Sequence, residues 1–562
     1  MHSVGQEVPH VRIHPQCGAC GAAFRPGESI GALIKVFSSP SSASYKWIDA
    51  LTFPDHGYCH QRDPGRLFCR FSECQKCALA IENATIHLDC FNLFAKRCQA
   101  ADKLQIMWAA AIWRSPWHQA PLLSLTSRSW NVDEIMDHIV EIYNLPELKS
   151  LPAEIKWMVY DYCQPDLLSR YFSVLKLAGL LSNPQPRTVD PLPLCDIREW
   201  NRGGRPVTEK RTMDSTICLT IDPHGLQRID RDLLATGRFK SRRDDVVFLV
   251  ESAERLSKVY AEFKLGLARL RLPNESPIMA VWDTPNPPYL ASERFMPLPQ
   301  LALPEPRHPC TRFATIDLSN CTGITFFISF AETLAIHVHT PRTPCALTTF
   351  QRLSSQHQRS VAWVYLPLGG EDSITAFGLR FRKHQGQTLW TMPCFLDFVS
   401  KIKAGSVLFY GIHDATPVLT MGAYPLIDED VQQKPLPPGI NPPFKKACFS
   451  SASLESVERA EVFYDEESRL CKGIVIHYLD GTRRSLGQCR VGLDPTQTYT
   501  EPSHFCYAYP RVGRDGLEVQ FTTDSEHKHW NSHELEWACY QMAGVLQFWF
   551  TKQQVALNFV NN

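Results

Sequence analysis

The sequence predicts a multidomain α+β protein with an N-terminal Cys/His module, a helical middle segment and a C-terminal all-β region of sandwich, barrel or prism type. Three observations predict this order. Cysteine and histidine pairs concentrate in the first hundred residues, helical periodicity follows, and short alternating segments dominate the rest. A chain of 562 residues has room for several domains. We expect boundaries at 10–100, 101–182, a linker at 183–209, a β-rich domain at 210–430 and a second β-rich lobe at 444–562.

The N-terminal module contains four pairs of potential metal ligands, each pair separated by two residues. They are Cys17 with Cys20, His56 with Cys59, Cys74 with Cys77, and His87 with Cys90. A turn between paired residues directs two thiolates, or a thiolate and an imidazole, to one point, as a tetrahedral zinc ion requires. The pattern predicts structural zinc, with two ions. The intervening chain reads as loop-rich, so we expect ligation to supply much of its folding free energy.

The assignment of ligands to each ion stays open at the level of sequence. Sequential pairing gives the first two pairs one ion and the last two pairs the other, and it resembles LIM and poly-ADP-ribose-polymerase-type fingers, in which His-x-x-Cys closes the site. Phe91 after the last cysteine fits that resemblance, whereas the serine-rich interval before His56 is longer than in a LIM module. His60 and Cys69 are alternatives to His56 and Cys59. A cross-braced RING finger is disfavoured, because no Cys-x-His pair precedes Cys74.

Several features bound the location and partners of the protein. Residues 1–15 are polar and lack the apolar core of a secretory signal, and no run of 18 apolar residues occurs. Eight of the 20 cysteines precede residue 100, and the others are scattered singly, as free thiols of an intracellular protein usually are. We expect a cytoplasmic or nuclear protein. Its 58 basic and 58 acidic residues give no overall field to attract nucleic acid or a membrane.

The segment from Leu148 predicts two short helices. Pro152 suits the first turn of a helix, Ser150 is a candidate cap, and Pro165 ends the first helix, after which the apolar spacing repeats in a second. The sequence Leu-Pro-Ala-Glu-Ile at 151–155, with the apolar stripe after it, resembles an F-box over residues 148–180. That resemblance implies docking onto the Skp-type adaptor of a cullin ubiquitin ligase through five residues, Leu151, Pro152, Ile155, Met158 and Val159. The alternative is an ordinary helical hairpin whose stripe packs inward.

Beyond residue 210 the period of the sequence changes to two. Alternating segments predict strands at 216–222, 246–250, parts of 263–272, 278–282, 313–318, 323–330, 334–339, 361–368, 374–382, 406–412, 461–464, 473–478 and 517–522. Turn signals such as Asp480-Gly481 separate them. The proline-rich stretch 432–443 reads as a surface connector between two sheets or lobes.

Phrases in this region resemble an uncharacterised family of filamentous-fungal proteins that carry an F-box-like segment. They include Val-Trp-Asp-Thr-Pro-Asn-Pro-Pro at 281–288, Gly-Ile-Thr-Phe-Phe at 323–327, Ala-Ile-His-Val-His-Thr at 335–340, the segment 473–481, and Ser-Leu-Gly-Gln at 485–488. The resemblance implies architecture and no particular activity. The stretches 371–382 and 473–487 are also similar to jacalin-type lectin repeats.

The sequence contains none of the common catalytic motifs. It lacks a Gly-x-Ser-x-Gly elbow, a dinucleotide-binding glycine fingerprint and a phosphate-binding loop, so we expect no enzyme activity. Two histidine doublets, His337 with His339 and His527 with His529, could each form half a metal site, but a packed pair is the commoner use.

These features favour a non-catalytic F-box-type substrate adaptor with a β-rich recognition domain. One alternative is an intracellular carbohydrate- or ligand-binding protein, in which Trp363, Trp390 and Tyr410 would stack on sugar rings. A second alternative is a nucleic-acid binder that acts through the zinc fingers, which the neutral charge disfavours.

Overall fold

The computed structural model describes most of the chain between residues 10 and 561. The segments outside the described residues are 40–41, 55–60, 64–65, 71–73, most of 119–143, 163–164, 183–188, 210–214, 232–245, 274–278, 288–309, 369–375, 384–393, 413–420, 428–442, 510–515, 530–534 and a few single positions. The chain divides into two compact units, unit 1 (Met1–Pro287 with Leu303–Phe313) and unit 2 (Pro288–Ala302 with Ala314–Asn562). Both contain several sheets, which confirms a mixed α+β fold.

The N-terminal part of unit 1 contains two small sheets and three helices. The strands are β1 (His10–Arg12), β2 (Ser29–Ser39), β3 (Ser42–Thr52), β4 (Gln61–Asp63), β5 (Arg66–Cys69) and β6 (Asn83–His87). The helices are α1 (Gln75–Leu79), α2 (Leu88–Arg97) and α3 (Lys103–Ile112). The strand orders are β1-β5-β4, with β1 parallel to β5, and β3-β2-β6, which is antiparallel.

This part has a real apolar core, contrary to the loop-rich expectation. The serine-rich interval belongs largely to the β2–β3 hairpin, in which Ser39 lies opposite Ser42. Apolar side chains from the strands, such as Ile30 and Leu33, are fully buried. Met107 of α3 packs into the same core, together with side chains from a helix beyond residue 160. The module therefore extends past the predicted boundary at residue 100.

The segment predicted to form two short helices does so. A 3-10 turn (Pro146–Ser150) precedes α4 (Ala153–Tyr162), and α5 (Pro165–Ser182) follows. The hydroxyl of Ser150 donates to the carbonyl of Glu147 inside the 3-10 turn, so it stabilises that turn and does not cap α4. Helix α5 packs against α2 and buries Val174 and Leu181 in the N-terminal core.

The rest of unit 1 is formed by β7 to β16. Their bounds are β7 (Val189–Pro193), β8 (Ile197–Asn201), β9 (Val207–Thr208), β10 (Thr216–Asp222), β11 (Gly225–Arg231), β12 (Val247–Ser252), β13 (Tyr260–Lys264), β14 (Leu267–Arg271), β15 (Met279–Trp282) and β16 (Cys310–Ile316), with a 3-10 turn at Leu194–Asp196. One sheet has the order β16-β15-β12-β10-β11-β8-β9, and a second has β14-β13-β7. Their apolar faces enclose a core that includes Trp117 and Trp200.

The stretch predicted as a linker, 183–209, contains three of these strands. The prolines suggest a linker wrongly here, because β7 lies at the edge of its sheet and an edge strand tolerates a residue without an N–H. Pro191 and Pro193 are therefore compatible with β7. Strand β8 pairs with β11 and buries Ile197 and Trp200. Residues 189–208 are thus part of a folded sheet and do not form a linker.

Unit 2 is built from short antiparallel strands and two small helices. The strands are β17 (Gly323–Ser329), β18 (Glu332–His339), β19 (Ala362–Pro367), β20 (Ala376–Lys383), β21 (Cys394–Ile412), β22 (Met421–Ile427), β23 (Cys448–Ser453), β24 (Val457–Tyr464), β25 (Cys471–Tyr478), β26 (Arg483–Gly487), β27 (Thr496–Thr500), β28 (His504–Ala508), β29 (Glu518–Thr522), β30 (Ala538–Gln541), β31 (Val545–Phe550) and β32 (Val555–Val560). The helices are α6 (Leu347–Gln351) and α7 (Ser355–Ser360).

Thirteen of these strands form four sheets of three or four strands. Their orders are β18-β17-β19, β26-β25-β24-β27, β29-β28-β30 and β23-β31-β32. The other three strands are paired in the order β20-β21-β22. Phe505, Phe521 and Phe548 lie in the main core of the unit. The division between the units falls inside the predicted 210–430 domain, and nearly all of the predicted connector 432–443 lies outside the described residues.

The described helices do not meet the requirements for a membrane span. None of them combines the length and the apolar character that crossing a bilayer would take.

Candidate metal centres

Four ligand-type side chains meet at the corner where β6 turns into α2. The group, called the corner cluster, consists of Cys17, Cys20, His87 and Cys90, and one donor atom from each lies within 4.8 Å of the others. All four residues are buried. His87 ends β6 and Cys90 lies in the first turn of α2, so the strand-to-helix junction places two donors side by side.

Backbone hydrogen bonds hold the Cys17–Cys20 turn against β6. The N–H of Gly18 donates to the carbonyl of Thr85 over 2.8 Å, and the N–H of Gly21 donates to the carbonyl of Cys17 over 2.8 Å. Gly21 has φ +81°, a left-handed conformation that favours glycine. A Cβ on Gly18 would lie 2.5 Å from the Cβ of Ala111, so only glycine allows the turn to approach α3 this closely.

The imidazole of His87 is oriented by a carboxylate on its outer side. Its Nδ1 lies 3.6 Å from Cys20 Sγ and 3.8 Å from Cys90 Sγ, whereas its Nε2 lies 3.1 Å from Glu28 Oε2. A hydrogen bond from Nε2–H to Glu28 leaves the Nδ1 lone pair facing the thiols. Glu28 is held in turn by Arg170 of α5, and this carboxylate–imidazole arrangement is typical of metal-ligating histidines.

Two arginines balance the negative charge that three thiolates would bring. Arg114 is half-buried, and its guanidinium donates to the carbonyls of Gly18 and Ala19, beside Cys17 and Cys20. Arg170 lies near Cys90 on the other side. Without an ion, hydrogen bonds from the Cys90 thiol to Cys17 and Cys20 raise the pKa of Cys90, and burial and repulsion between thiolates raise it further. A divalent cation removes that conflict.

A second group, called the strand cluster, lies beside the β1-β5-β4 sheet. It consists of His10, Cys69, Cys74 and Cys77, with donor atoms again within 4.8 Å of one another. Nδ1 of His10 lies 3.5 Å from Cys74 Sγ and 3.6 Å from Cys77 Sγ. Burial, followed by the charge of Cys69, raises the pKa of Cys77. Parallel pairing of β1 with β5 places His10 opposite Leu67, two residues before Cys69 and therefore on the same face of the sheet as that cysteine.

The ligands are divided between the two groups differently from sequential pairing. His87 and Cys90 join Cys17 and Cys20, whereas Cys74 and Cys77 join His10 and Cys69. The hydrogen bond from the N–H of Gly18 to the carbonyl of Thr85 holds the first cysteine turn against the end of β6, beside His87. The predicted ligands His56 and Cys59, like the alternative His60, lie outside the described residues.

Two features of the metal sites escaped the sequence analysis. His10 belongs to no spaced pair, and only the parallel β1–β5 pairing reveals it. A third group, called the C-terminal cluster, lies in unit 2 and contains Cys506, His527, His529 and Cys539. The His527–His529 doublet was its one sequence signal.

The other histidine doublet has no free donor for a metal. His337 Nδ1 lies 2.9 Å from Thr349 Oγ1 and its Nε2 lies 3.1 Å from the carbonyl of Thr343. His339 likewise uses both ring nitrogens, toward Thr325 and the carbonyl of Pro344. The doublet is therefore a hydrogen-bonded element of the unit 2 core.

The F-box resemblance assigns five residues to partner binding, and these lie just before α4 and along it. Pro152, Ile155 and Met158 are exposed, and Leu151 and Val159 are half-buried. The stripe of α4 therefore does not pack inward, in contrast with α5, which buries its apolar side chains.

Comparison with known proteins finds no matching family model, no matching curated protein and no matching solved structure. The chemistry of the sites therefore has to be argued from their donors. In the corner and strand clusters, three thiols and one imidazole can fill all four positions of a tetrahedral ion. An ion held by all four donors would have no position left for water or substrate.

Proposed function

We propose that unit 1 holds two structural zinc ions, one in the corner cluster and one in the strand cluster. The observation that carries this proposal is the donor set, which is three cysteines and one histidine in each case. Thiolates and imidazole favour zinc, whereas magnesium and calcium prefer oxygen ligands. A regular tetrahedron with zinc bonds of about 2.0–2.3 Å separates its donors by roughly 3.3–3.8 Å. The four separations between a histidine Nδ1 and a cysteine Sγ in these clusters, 3.5–3.8 Å, fit that range.

Each ion would connect parts of the chain that are distant in sequence. The corner cluster joins the Cys17–Cys20 turn to the β6–α2 junction, and the strand cluster joins β1 and β5 to α1. Zinc at these points stabilises the folded state by favouring the only conformation that brings the donors together. The test is metal analysis of protein purified under reducing conditions, in which zinc-free and fully folded protein would refute the assignment.

The zinc-bound module would then serve as the support of a protein-docking helix. Ile155, Met158 and Tyr162 of α4 are 40%, 66% and 90% exposed, and their spacing places them along one side of the helix. Exposed apolar side chains at the positions given by the F-box resemblance support a non-catalytic, F-box-type substrate adaptor. Its partner would be the Skp-type adaptor of a cullin ubiquitin ligase, and the β-rich part of the chain would bind the substrate. Such a protein acts by proximity, because it brings a target to the ligase.

Co-purification with a Skp-type adaptor tests this function. The double variant Ile155→Asp with Met158→Asp should lose the partner, because charged side chains cannot enter an apolar interface without a large desolvation cost. Leu479→Asp is the matched control, since Leu479 is an equally large and exposed apolar residue in unit 2. Absence of the partner from the wild-type protein, or equal capture by all three proteins, would refute the adaptor function.

The carbohydrate-binding alternative loses its main support. Trp363 and Tyr410 are buried, so neither presents a face to a sugar ring, and Trp390 lies outside the described residues. The nucleic-acid alternative has no specific support beyond the clusters themselves, because the basic and acidic residues balance.

A further inference from the structure

The C-terminal cluster is built on one row of residues across the β29-β28-β30 sheet. Cys506 of the central strand lies opposite Gln520 on one side and Cys539 on the other. Directly opposed residues in antiparallel strands point to the same face. His527 and His529, which lie between β29 and β30 in sequence, are next to Cys506 and Cys539, so the donors come from three separate parts of the chain.

The four donor atoms face one another in complementary pairs. His527 Nε2 lies 3.2 Å from Cys506 Sγ, and His529 Nε2 lies 3.1 Å from Cys539 Sγ. All four atoms lie within 4.8 Å of one another. Two thiols and two imidazoles at this separation match the Cys2His2 set of structural zinc sites.

The outer nitrogens of both imidazoles are held by the protein. His527 Nδ1 lies 2.9 Å from the carbonyl of Asp524, and His529 Nδ1 lies 3.0 Å from Gln520 Oε1. Both partners accept a hydrogen bond from Nδ1–H, which leaves Nε2 unprotonated toward the thiols. The ring of Trp537 also stacks on His529, with centroids 4.2 Å apart. Metal-ligating histidines are regularly oriented by such outer contacts, whereas two packed rings do not require them.

We propose that this cluster is a third zinc site, located in unit 2, and that its ion exchanges faster than the ion of the corner cluster. All ligands of the corner cluster are buried, whereas Cys539 is exposed and His527 and His529 are half-buried. A chelator can therefore reach the C-terminal ion while its ligands are still bound. The proposal does not depend on the adaptor function or on the two sites of unit 1.

Metal counting on the full-length chain tests the proposal. Protein purified under reducing conditions and reconstituted with zinc should contain three ions, and Cys539→Ala should contain two. Cys345→Ala is the matched control, because Cys345 is a partly buried cysteine of unit 2 outside the cluster, and it should keep three ions. With a coloured chelator, wild-type protein should release one ion in a fast phase that Cys539→Ala lacks.

The conservative variant Cys539→His separates loss of a ligand from loss of folding. An imidazole can replace the thiolate at this exposed position, so the count should return to three. Two outcomes would overturn the proposal, namely equal ion counts in the reconstituted wild type and Cys539→Ala, or a Cys506–Cys539 disulfide that persists under reducing conditions. Loss of ions from Cys90→Ala tests unit 1 separately, so failure of one site is distinguishable from failure of the other.

Discussion

Arg170 and Glu28 form an ion pair that connects helix α5 to the corner cluster. Arg170 Nη1 lies 3.0 Å from Glu28 Oε1, and the other oxygen of Glu28 lies 3.1 Å from His87 Nε2. The second guanidinium nitrogen of Arg170 contacts Asp89 in α2, at 3.0 Å. One arginine thus fixes both the carboxylate that orients His87 and the start of the helix that carries Cys90. The helical segment and the metal site are mechanically coupled through this pair.

Arg170→Met should weaken metal binding at the corner cluster without removing a ligand. Without Arg170, Glu28 is no longer fixed beside His87, and loss of an outer contact to a ligating histidine typically lowers metal affinity by about 10- to 100-fold. Competition with a chelator of known affinity measures the change. Arg271→Met is the control, because Arg271 is an exposed arginine of the same unit, and it should leave the affinity unaltered. Equal affinities for both variants would show that the Arg170–Glu28 pair does not orient His87.

Cys90→Ser should remove one ion and strongly destabilise unit 1. A serine hydroxyl is a poor zinc ligand near neutral pH, and structural zinc contributes on the order of 10 kcal/mol to the folding of small modules. Cys98→Ser is a stringent control, since Cys98 is also buried in the same core but belongs to no cluster among the described residues. Zinc content and thermal unfolding should distinguish the two variants, and equal zinc contents would contradict the assignment.

Cys69→Ser and His10→Ala should each remove one ion, whereas Cys59→Ser should remove none. The reason is that His10, Cys69, Cys74 and Cys77 fill the strand cluster, and Cys17, Cys20, His87 and Cys90 fill the corner cluster. Sequential pairing makes the opposite prediction for Cys59. Zinc counts on the three variants therefore decide between the two assignments of ligands.

His337 should make unit 2 less stable in acid. Burial, with smaller effects from His339 and Arg352, lowers the pKa of His337 to about 4 from an ordinary 6.5. Between these values the unfolded chain binds a proton that the folded chain does not, so the free energy of unfolding falls as the pH drops from about 7 to 4. His337→Gln should reduce this fall by on the order of 2 kcal/mol. Denaturant unfolding at pH 7 and pH 5 tests it, and parallel curves for both proteins would contradict it.

Much of the strand content follows from the period of the sequence alone. The prediction for 216–222 coincides with β10, and the prediction for 473–478 lies within β25 (Cys471–Tyr478). Both strands are buried on both faces, and the prediction succeeds because short runs of apolar and β-branched residues bounded by turn residues also indicate strands. The same reasoning fails for β7 and β8, because prolines at a sheet edge resemble the prolines of a linker.

The spacing of cysteines and histidines predicted the local pairs, whereas it did not predict which pairs come together in one cluster. Two residues in one turn are neighbours by local geometry, so Cys17-x-x-Cys20 and His87-x-x-Cys90 are visible in the sequence. Which pairs meet depends on the β2–β6 and β1–β5 registers, which join residues 49 to 57 positions apart. Cys506 and Cys539 were invisible for the same reason, since only strand pairing places them opposite each other.

The order of the ligands along the chain also sets the order in which a growing polypeptide can close its two N-terminal sites. When synthesis has passed Cys77, every donor of the strand cluster already exists, but the corner cluster still lacks His87 and Cys90. The strand cluster can therefore bind its ion first, and its cysteines then no longer compete with those of the corner cluster for a metal ion. Cys17 and Cys20 must wait for the β6–α2 junction, so the last step of assembly is also the one that seals the buried ion beneath α5.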